Sequence, residues 1–495
     1  MRGRDSQLAT GDGQAGPSGV ADGFVVVMTP GNAGRAKGPW FKGSVGSVDS
    51  GEIGTNLETP KGVEKLQTAL HVKAKGSPSF RFYVLYDKVH RRDVLQFAYA
   101  LCYANGGAPG VDGQTFDDIY EYDTGRWLDE LAEVLRTKTY EPQPVRRAWI
   151  PKANGGQRPL GIPTIRDRVV QTAAVLVLEP IFEADLQPEQ YAYRSGKSAL
   201  DAVRRVHSLL NSGHTDVVDA DLSGYFDTIP HAELMKSVAR RVSDKHMLHL
   251  IKMWLVAPTE EIDERGHRCR TTRNKDEKRG TPQGSPISPL LSNIYMRRFI
   301  LGWKVQGHEQ RLDAHIVNYA DDFVICCRGT ATEAMTAMRR IISTLKLTVN
   351  ETKTRQCHVP DESFDFLGYT IGRCYSPKTG RAYIGTRPSK KKVQSLCREI
   401  SEATSRRWLL KDVSDRVPLL NRKLRGWANY FCLGPVSKAY RAVDEHARYR
   451  LRQWLRAKHK VRGRVEARYP DRYLHEELGL TQLAPRTRNF PWANT

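Results

Sequence analysis

Two adjacent aspartates inside an apolar run restrict this chain more than any other feature. In "HIVNYADDFVICC" (315–327), Asp321 and Asp322 separate two stretches of β-branched, aromatic and cysteine residues. That order predicts a strand, a tight turn at Ala320-Asp321, and a second strand. Asp favours turns, so an ordinary hairpin is the minority reading of "NYADDFVI" taken alone. A second β-like run weakens that account. "VVDADLSGYFDTI" (217–229) carries Asp219, Asp221 and Asp227, although Asp is depleted in strand interiors. A pair of divalent cations would satisfy both stretches. Mg²⁺ is a hard ion that takes carboxylate oxygens together with substrate phosphates. Two such ions about 4 Å apart can activate an attacking oxygen and stabilise a leaving one.

The surroundings of these aspartates predict an α+β fold. Between 145 and 370, short β-like runs ("VRRAWIP", "DVVDADL") alternate with helical ones ("RDRVVQTAAVLVLEPIF", "EAMTAMRRIISTLKL"), which suits an antiparallel sheet with packed helices. A helical pattern also begins near 85 and stops at Asn105-Gly106-Gly107. Residues 1–65 are Gly- and Ser-rich without periodicity and are expected to be largely disordered. Beyond about 385 the β signal fades and Arg-rich amphipathic helices take over. The eight cysteines show no metal-finger spacing, which points to reduced thiols in a cytosolic protein. No apolar stretch is long enough to cross a bilayer.

Charge is unevenly placed. The chain carries a formal net charge of +22, and residues 387–495 hold 26 Lys/Arg against 10 Asp/Glu. Such a concentration suits a polyanionic partner, nucleic acid more readily than a membrane. "PKANGGQRP" adds a local case. If Asn154 to Gly156 form a three-residue hairpin loop, Lys152 faces Arg158 and both project from one side, where a triphosphate would separate two cations. A solvated basic hairpin reads the same way.

The motifs together resemble a known family. Tyr319-Ala320-Asp321-Asp322 is similar to the catalytic tetrapeptide of reverse transcriptases, and Asp221 with Phe226 to that family's first metal-binding motif. "RGTPQGSPISPLLSNIYM" (279–296), "ANGGAPGVDG" (104–113), "IPKANGGQRPLGIP" (150–163) and "DFLGY" (365–369) resemble further blocks in the same order. The match is to the reverse transcriptase/maturase encoded within bacterial group II introns, from about residue 85 to near the C-terminus. The resemblance implies a right-hand polymerase, with fingers and palm in 66–384 and a helical thumb/maturase region (domain X) in 385–460. It implies RNA-directed DNA synthesis using two Mg²⁺ ions. Asp221 and Asp321 would be the main ligands, Asp322 would support them, and Leu222 would count among the metal-binding positions. Lys152 and Arg158 would meet the triphosphate, and Gln283 the nucleotide. Phe226 would lie under the sugar and leave no room for a 2′-hydroxyl. Asp219 and Asp227 match no catalytic position and are assigned structural roles.

The resemblance also implies partners: the chain's own group II intron RNA, target DNA with a primer 3′ end, and dNTPs, in a cytoplasmic ribonucleoprotein of prokaryotic type. "LNRKLRGWANYF" (420–431) resembles the maturase region. In 438–456, Tyr440, Val443, Ala447, Leu451 and Trp454 form an apolar stripe, with Lys438, Arg441, Arg448, Arg452 and Arg456 gathered away from it. Those cations are expected to bind RNA phosphates rather than only solvate a surface helix. No cysteine follows Cys432, so the paired-cysteine HNH endonuclease of many relatives is expected to be absent. Residues 461–495 then form a short basic tail that helps to bind DNA, and mobility uses existing 3′ ends. A splicing factor with an inactive polymerase is the rival reading, which intact Asp221, Asp321, Asp322 and Phe226 oppose. Retron-type and diversity-generating enzymes are opposed by the maturase-like segment, and RNA-dependent RNA polymerases by Phe226.

Overall fold

The computed structural model describes residues 57–151, 157–262, 267–376 and 378–489. Eleven strands lie among them: β1 (Val145–Pro151), β2 (Gln157–Ile162), β3 (Asp216–Asp221), β4 (Thr259–Ile262), β5 (Arg268–Thr271), β6 (His315–Tyr319), β7 (Asp322–Cys327), β8 (Arg355–His358), β9 (Phe364–Phe366), β10 (Tyr369–Tyr375) and β11 (Ala382–Pro388). They form three sheets, with strand orders β2-β1-β4-β5, β6-β7-β3-β8 and β11-β10-β9. The fold is α+β. Pairing is antiparallel except where β1 runs parallel to β4 through Val145 and Arg146.

The sheet β6-β7-β3-β8 is covered on both faces, and its alternation assigns residues to each. Val218, Ala220, Phe323, Ile325 and Ile316 enter a large core shared with the helices Ile165–Glu183 and Ser288–Val305. Val217, Val317, Val324 and Cys326 face a second core that includes Phe364, Phe366, Tyr369 and Phe431. Period-two geometry therefore sends Asp219, Asp221 and Asp322 to the second face, at the end where that core runs out. A third core unites the helices Lys390–Ala403, Val413–Tyr430 and Ser437–Lys458 with residues up to Leu483.

Three expectations need revision. A helix spans Lys61–Gly76 and buries Val63, Gln67 and Leu70, so structure begins inside the stretch expected to lack it; residues 1–56 lie outside the described residues. In the hairpin β1–β2, Pro151 stands opposite Gln157, a register two residues away from the expected one. Arg158 stands opposite Ile150, not Lys152, which lies outside the described residues. The segment after 460, expected as a short basic tail, packs onto the helices as far as it is described, to 489. Val465, Tyr469, Leu474, Leu480 and Leu483 are buried in the third core, and the buried Asp444 carboxylate accepts the backbone N–H groups of Leu483 and Ala484. Among the described residues no helix is long and apolar enough to cross a membrane. All eight cysteines are free, and five are buried.

Candidate active site and nucleic-acid interface

Strand register brings the aspartates together. Asp221, the last residue of β3, is the direct partner of Asp322, the first of β7, and Tyr319 of β6 pairs with Asp322 from the other side. Directly opposed residues on antiparallel strands have Cβ atoms about 5 Å apart, a distance at which like charges destabilise a sheet. The turn adds Asp321 and strains the backbone, since Ala320 takes φ +59°. A left-handed alanine costs about 1–2 kcal/mol. Asn318, fully buried, donates from Nδ2 to the Ala320 carbonyl at 2.8 Å and holds the turn in that shape.

Charge follows from this crowding. Burial, then the negative charge of Asp219, Asp321 and Asp221, pushes the Asp322 carboxyl well above the usual carboxylate range. Asp219 is pushed up to about 6, chiefly by burial, although Arg355 opposes the rise from 3.5 Å. Lys353 counters part of the charge at Asp322. A site where converging carboxylates outnumber the cations beside them, Lys353 and Arg355, suits divalent cations, and all-oxygen donors suit a hard one. The backbone of Leu222, next to Asp221, is fixed by pairing. Its bridge to Val349 is the non-hydrogen-bonded kind: Ser223 N–H donates to the Thr348 carbonyl, and Asn350 N–H to that of Asp221. The Leu222 carbonyl thus points away from Val349.

The turn Asn350–Thr354 encloses Asp221, and sequence reasoning missed it. Asn350 Nδ2 and Lys353 Nζ both donate to Asp221 Oδ2 at 2.9 Å, and Asp221 N–H reaches Thr354 Oγ1 at 3.4 Å. In "VNETKTR" these residues read as an ordinary polar turn. Their role appears only when β8 folds beside β3.

Other elements place Phe226, Gln283 and Arg158. Phe226, 7% exposed, follows Asp221 in a short helix (Tyr225–Thr228), and its carbonyl accepts Thr281 N–H at 2.7 Å. That bond draws the loop "TPQGSP" beside it. Gln283 donates to Asp227 Oδ2 at 2.9 Å, and its carbonyl accepts Gly161 N–H at 2.6 Å. The loop fits against β2 only because Gly284 has no side chain: φ is +107°, and a Cβ would lie 2.4 Å from the Gly161 carbonyl. Arg158 occupies β2.

Comparison with known proteins gives the constellation its context. Residues 150–371 match the family described as "Reverse transcriptase (RNA-dependent DNA polymerase)", and residues 393–470 match "Group II intron, maturase-specific domain". Protein YkfC of Escherichia coli K12 is 34% identical over 367 residues, 66% of this chain and 93% of that protein. The chain belongs to the group II intron reverse transcriptase/maturase family. Two longer relatives agree. The group II intron-encoded protein LtrA of Lactococcus lactis is 33% identical over 228 residues, 45% of this chain and 36% of that protein. An uncharacterised 91 kDa protein in the cob intron of Schizosaccharomyces pombe is 25% identical over 417 residues, 70% of this chain and 50% of that protein. Reverse transcription and assistance to intron splicing are the activities of this family.

The maturase-matched segment contains the helix Ser437–Lys458. Its apolar stripe, Tyr440, Val443, Ala447, Leu451 and Trp454, is buried in the third core. Its cations divide. Lys438, Arg441 and Arg456 are exposed. Arg448 and Arg452, at 22% and 14% side-chain exposure, turn to Asp471 instead: Arg448 Nη1 lies 3.0 Å from Asp471 Oδ2, Arg452 Nη2 meets Oδ1, and Arg452 Nε donates to the Tyr469 carbonyl at 2.9 Å. The expected row of five phosphate-facing cations is therefore interrupted, because the chain after the helix supplies an internal anion.

Proposed function

We propose that the chain is a right-hand polymerase, with fingers formed by β2-β1-β4-β5, a palm on β6-β7-β3-β8, and a thumb made by the C-terminal helices. It copies RNA into DNA by attack of a primer 3′-hydroxyl on the α-phosphate of a dNTP, with pyrophosphate leaving. Asp221, Asp321 and Asp322, with the Leu222 carbonyl, would hold two Mg²⁺ ions, which supply activation of the hydroxyl and neutralisation of the leaving phosphates. Phe226 lies beneath the sugar and excludes a 2′-hydroxyl. Lys152 and Arg158 meet the triphosphate, and Gln283 steadies the nucleotide. The observation that carries this reading is the register pair Asp221–Asp322 beside the Asp321 turn.

The second activity is binding of the chain's own group II intron RNA within a cytoplasmic ribonucleoprotein, through Lys438, Arg441 and Arg456. Target DNA with a primer 3′ end is the further partner during intron mobility. Asp321→Ala with Asp322→Ala tests both halves at once. Primer extension on an RNA template should fall at least ~10³-fold, equivalent to about 4 kcal/mol of transition-state stabilisation. Intron binding and splicing at low Mg²⁺ should persist. Loss of splicing in a normally folded double variant would show that the carboxylates serve the RNA fold.

A further inference from the structure

At the opposite end of the sheet that carries the aspartates, two histidines and an aspartate converge. His214 immediately precedes the β3 region, and His315 opens β6. Asp313, held at φ +43°, lies between them. His214 Nε2 is 3.1 Å from Asp313 Oδ1, and His315 Nε2 is 3.5 Å from the same oxygen. One ligand atom from each residue can be chosen so that all three lie within 4.8 Å of one another. A tetrahedral ion with bonds of about 2.0–2.1 Å has ligand atoms roughly 3.4 Å apart. The two shorter separations already match that edge.

The outer atoms are arranged in the same sense. The second nitrogen of each ring is occupied, which orients the Nε2 atoms inward. His214 Nδ1 lies 3.0 Å from Ser212 Oγ and 3.3 Å from the Leu209 carbonyl. His315 Nδ1 lies 3.2 Å from Glu309 Oε1. A carboxylate or carbonyl behind a ligating imidazole fixes its tautomer and raises its basicity. Arg328 reaches Asp313 Oδ2 at 3.5 Å and leaves Oδ1 to the histidines. The side chains grade from 8% exposed at His214 to 49% at Asp313, so an ion is reached from solvent on one side.

We propose that His214, Asp313 and His315 form a Zn²⁺ site, with water in the fourth position. Two imidazoles and one carboxylate suit a borderline-soft ion rather than Mg²⁺. The site lies on the order of 20 Å from Asp221, seven residues along the chain through β3. It joins the start of β6, an edge strand, to the turn that precedes β3. Both strands lead directly to catalytic aspartates, so the ion acts as a clamp on the palm sheet and takes no part in the chemistry.

The test uses the full chain without a histidine tag, stripped with chelator, reloaded with ZnCl₂ and desalted. Elemental analysis should find one Zn²⁺ per chain, and the melting temperature should rise on loading. Asp313→Asn, isosteric at a half-exposed position, and His315→Gln should each abolish both effects. Mg²⁺-dependent primer extension by the unloaded variants should remain within twofold of the unloaded parent. Co²⁺ in place of Zn²⁺ should give ligand-field bands without a thiolate charge-transfer band, which excludes the cysteines. Equal Zn²⁺ content in the parent and both variants, a thiolate band, or no retained Zn²⁺ in the parent would each overturn the proposal and leave an ion-pair cluster.

Discussion

The aspartate hairpin and the basic helix Ser437–Lys458 both concentrate charge of one sign, yet the fold treats them in opposite ways. At the hairpin, register sets Asp221 against Asp322 and adds Asp321 at the turn, so repulsion is built in and the Asp322 carboxyl is driven up. At the helix, Asp471 comes back from the following segment and engages Arg448 and Arg452. At the hairpin Lys353 and Arg355 offset only part of the carboxylate charge, and such an excess costs stability unless a partner from outside the chain supplies the balance; charge paired within the chain belongs to the fold. The lesson is to ask of a charge cluster what the rest of the chain brings to it, before assigning it to a ligand.

The comparison can be broken most directly at the helix. Lys438→Ala with Arg441→Ala should weaken intron RNA binding roughly tenfold and lower the slope of log affinity against log salt by about one to two units. Arg448→Ala with Arg452→Ala should leave that slope nearly unchanged and instead lower the melting temperature, by the loss of two partly exposed ion pairs worth about 0–1 kcal/mol each. The reverse pattern in filter-binding titrations and thermal melts would place the phosphate contacts at Arg448 and Arg452.

A smaller effect is expected beside the hairpin. Phe226→Val keeps part of the packing that Phe226 gives the first core, while opening space next to Asp221. The ratio of kcat/KM for dNTP to that for rNTP should fall by about tenfold, close to 1.4 kcal/mol. An unchanged ratio in an active variant would confine Phe226 to core packing.

The smallest effect tests the strain itself. Ala320→Gly removes the penalty of a left-handed alanine but adds backbone entropy to the unfolded chain, so stability should change by no more than about 1 kcal/mol. Primer extension should decline modestly, because a looser turn holds Asp321 less firmly. Denaturant melts and single-turnover extension measure the two separately.

Much of the sheet that carries the aspartates was legible in the chain. The alternation in "DVVDADL" and "HIVNYADDFVICC" specified strands, faces and a turn, since a period of two leaves few other arrangements. The helix ending at Asn105 was equally plain, with Gly106 at φ +62°. The stripe from Tyr440 to Trp454 marked a buried helix face because 3.6 residues per turn leaves it no alternative. Those features depend on neighbours in sequence. Contacts between distant segments did not show. Lys353 reaches Asp221 across 132 residues, Asp471 meets Arg452 across 19, and Gly284 fits beneath Gly161 only once β2 is in place. No local pattern encodes such meetings, because each depends on where a third element holds both partners. The sequence by itself determined which residues could bear the charge, and tertiary packing decided which of those charges the protein keeps for itself.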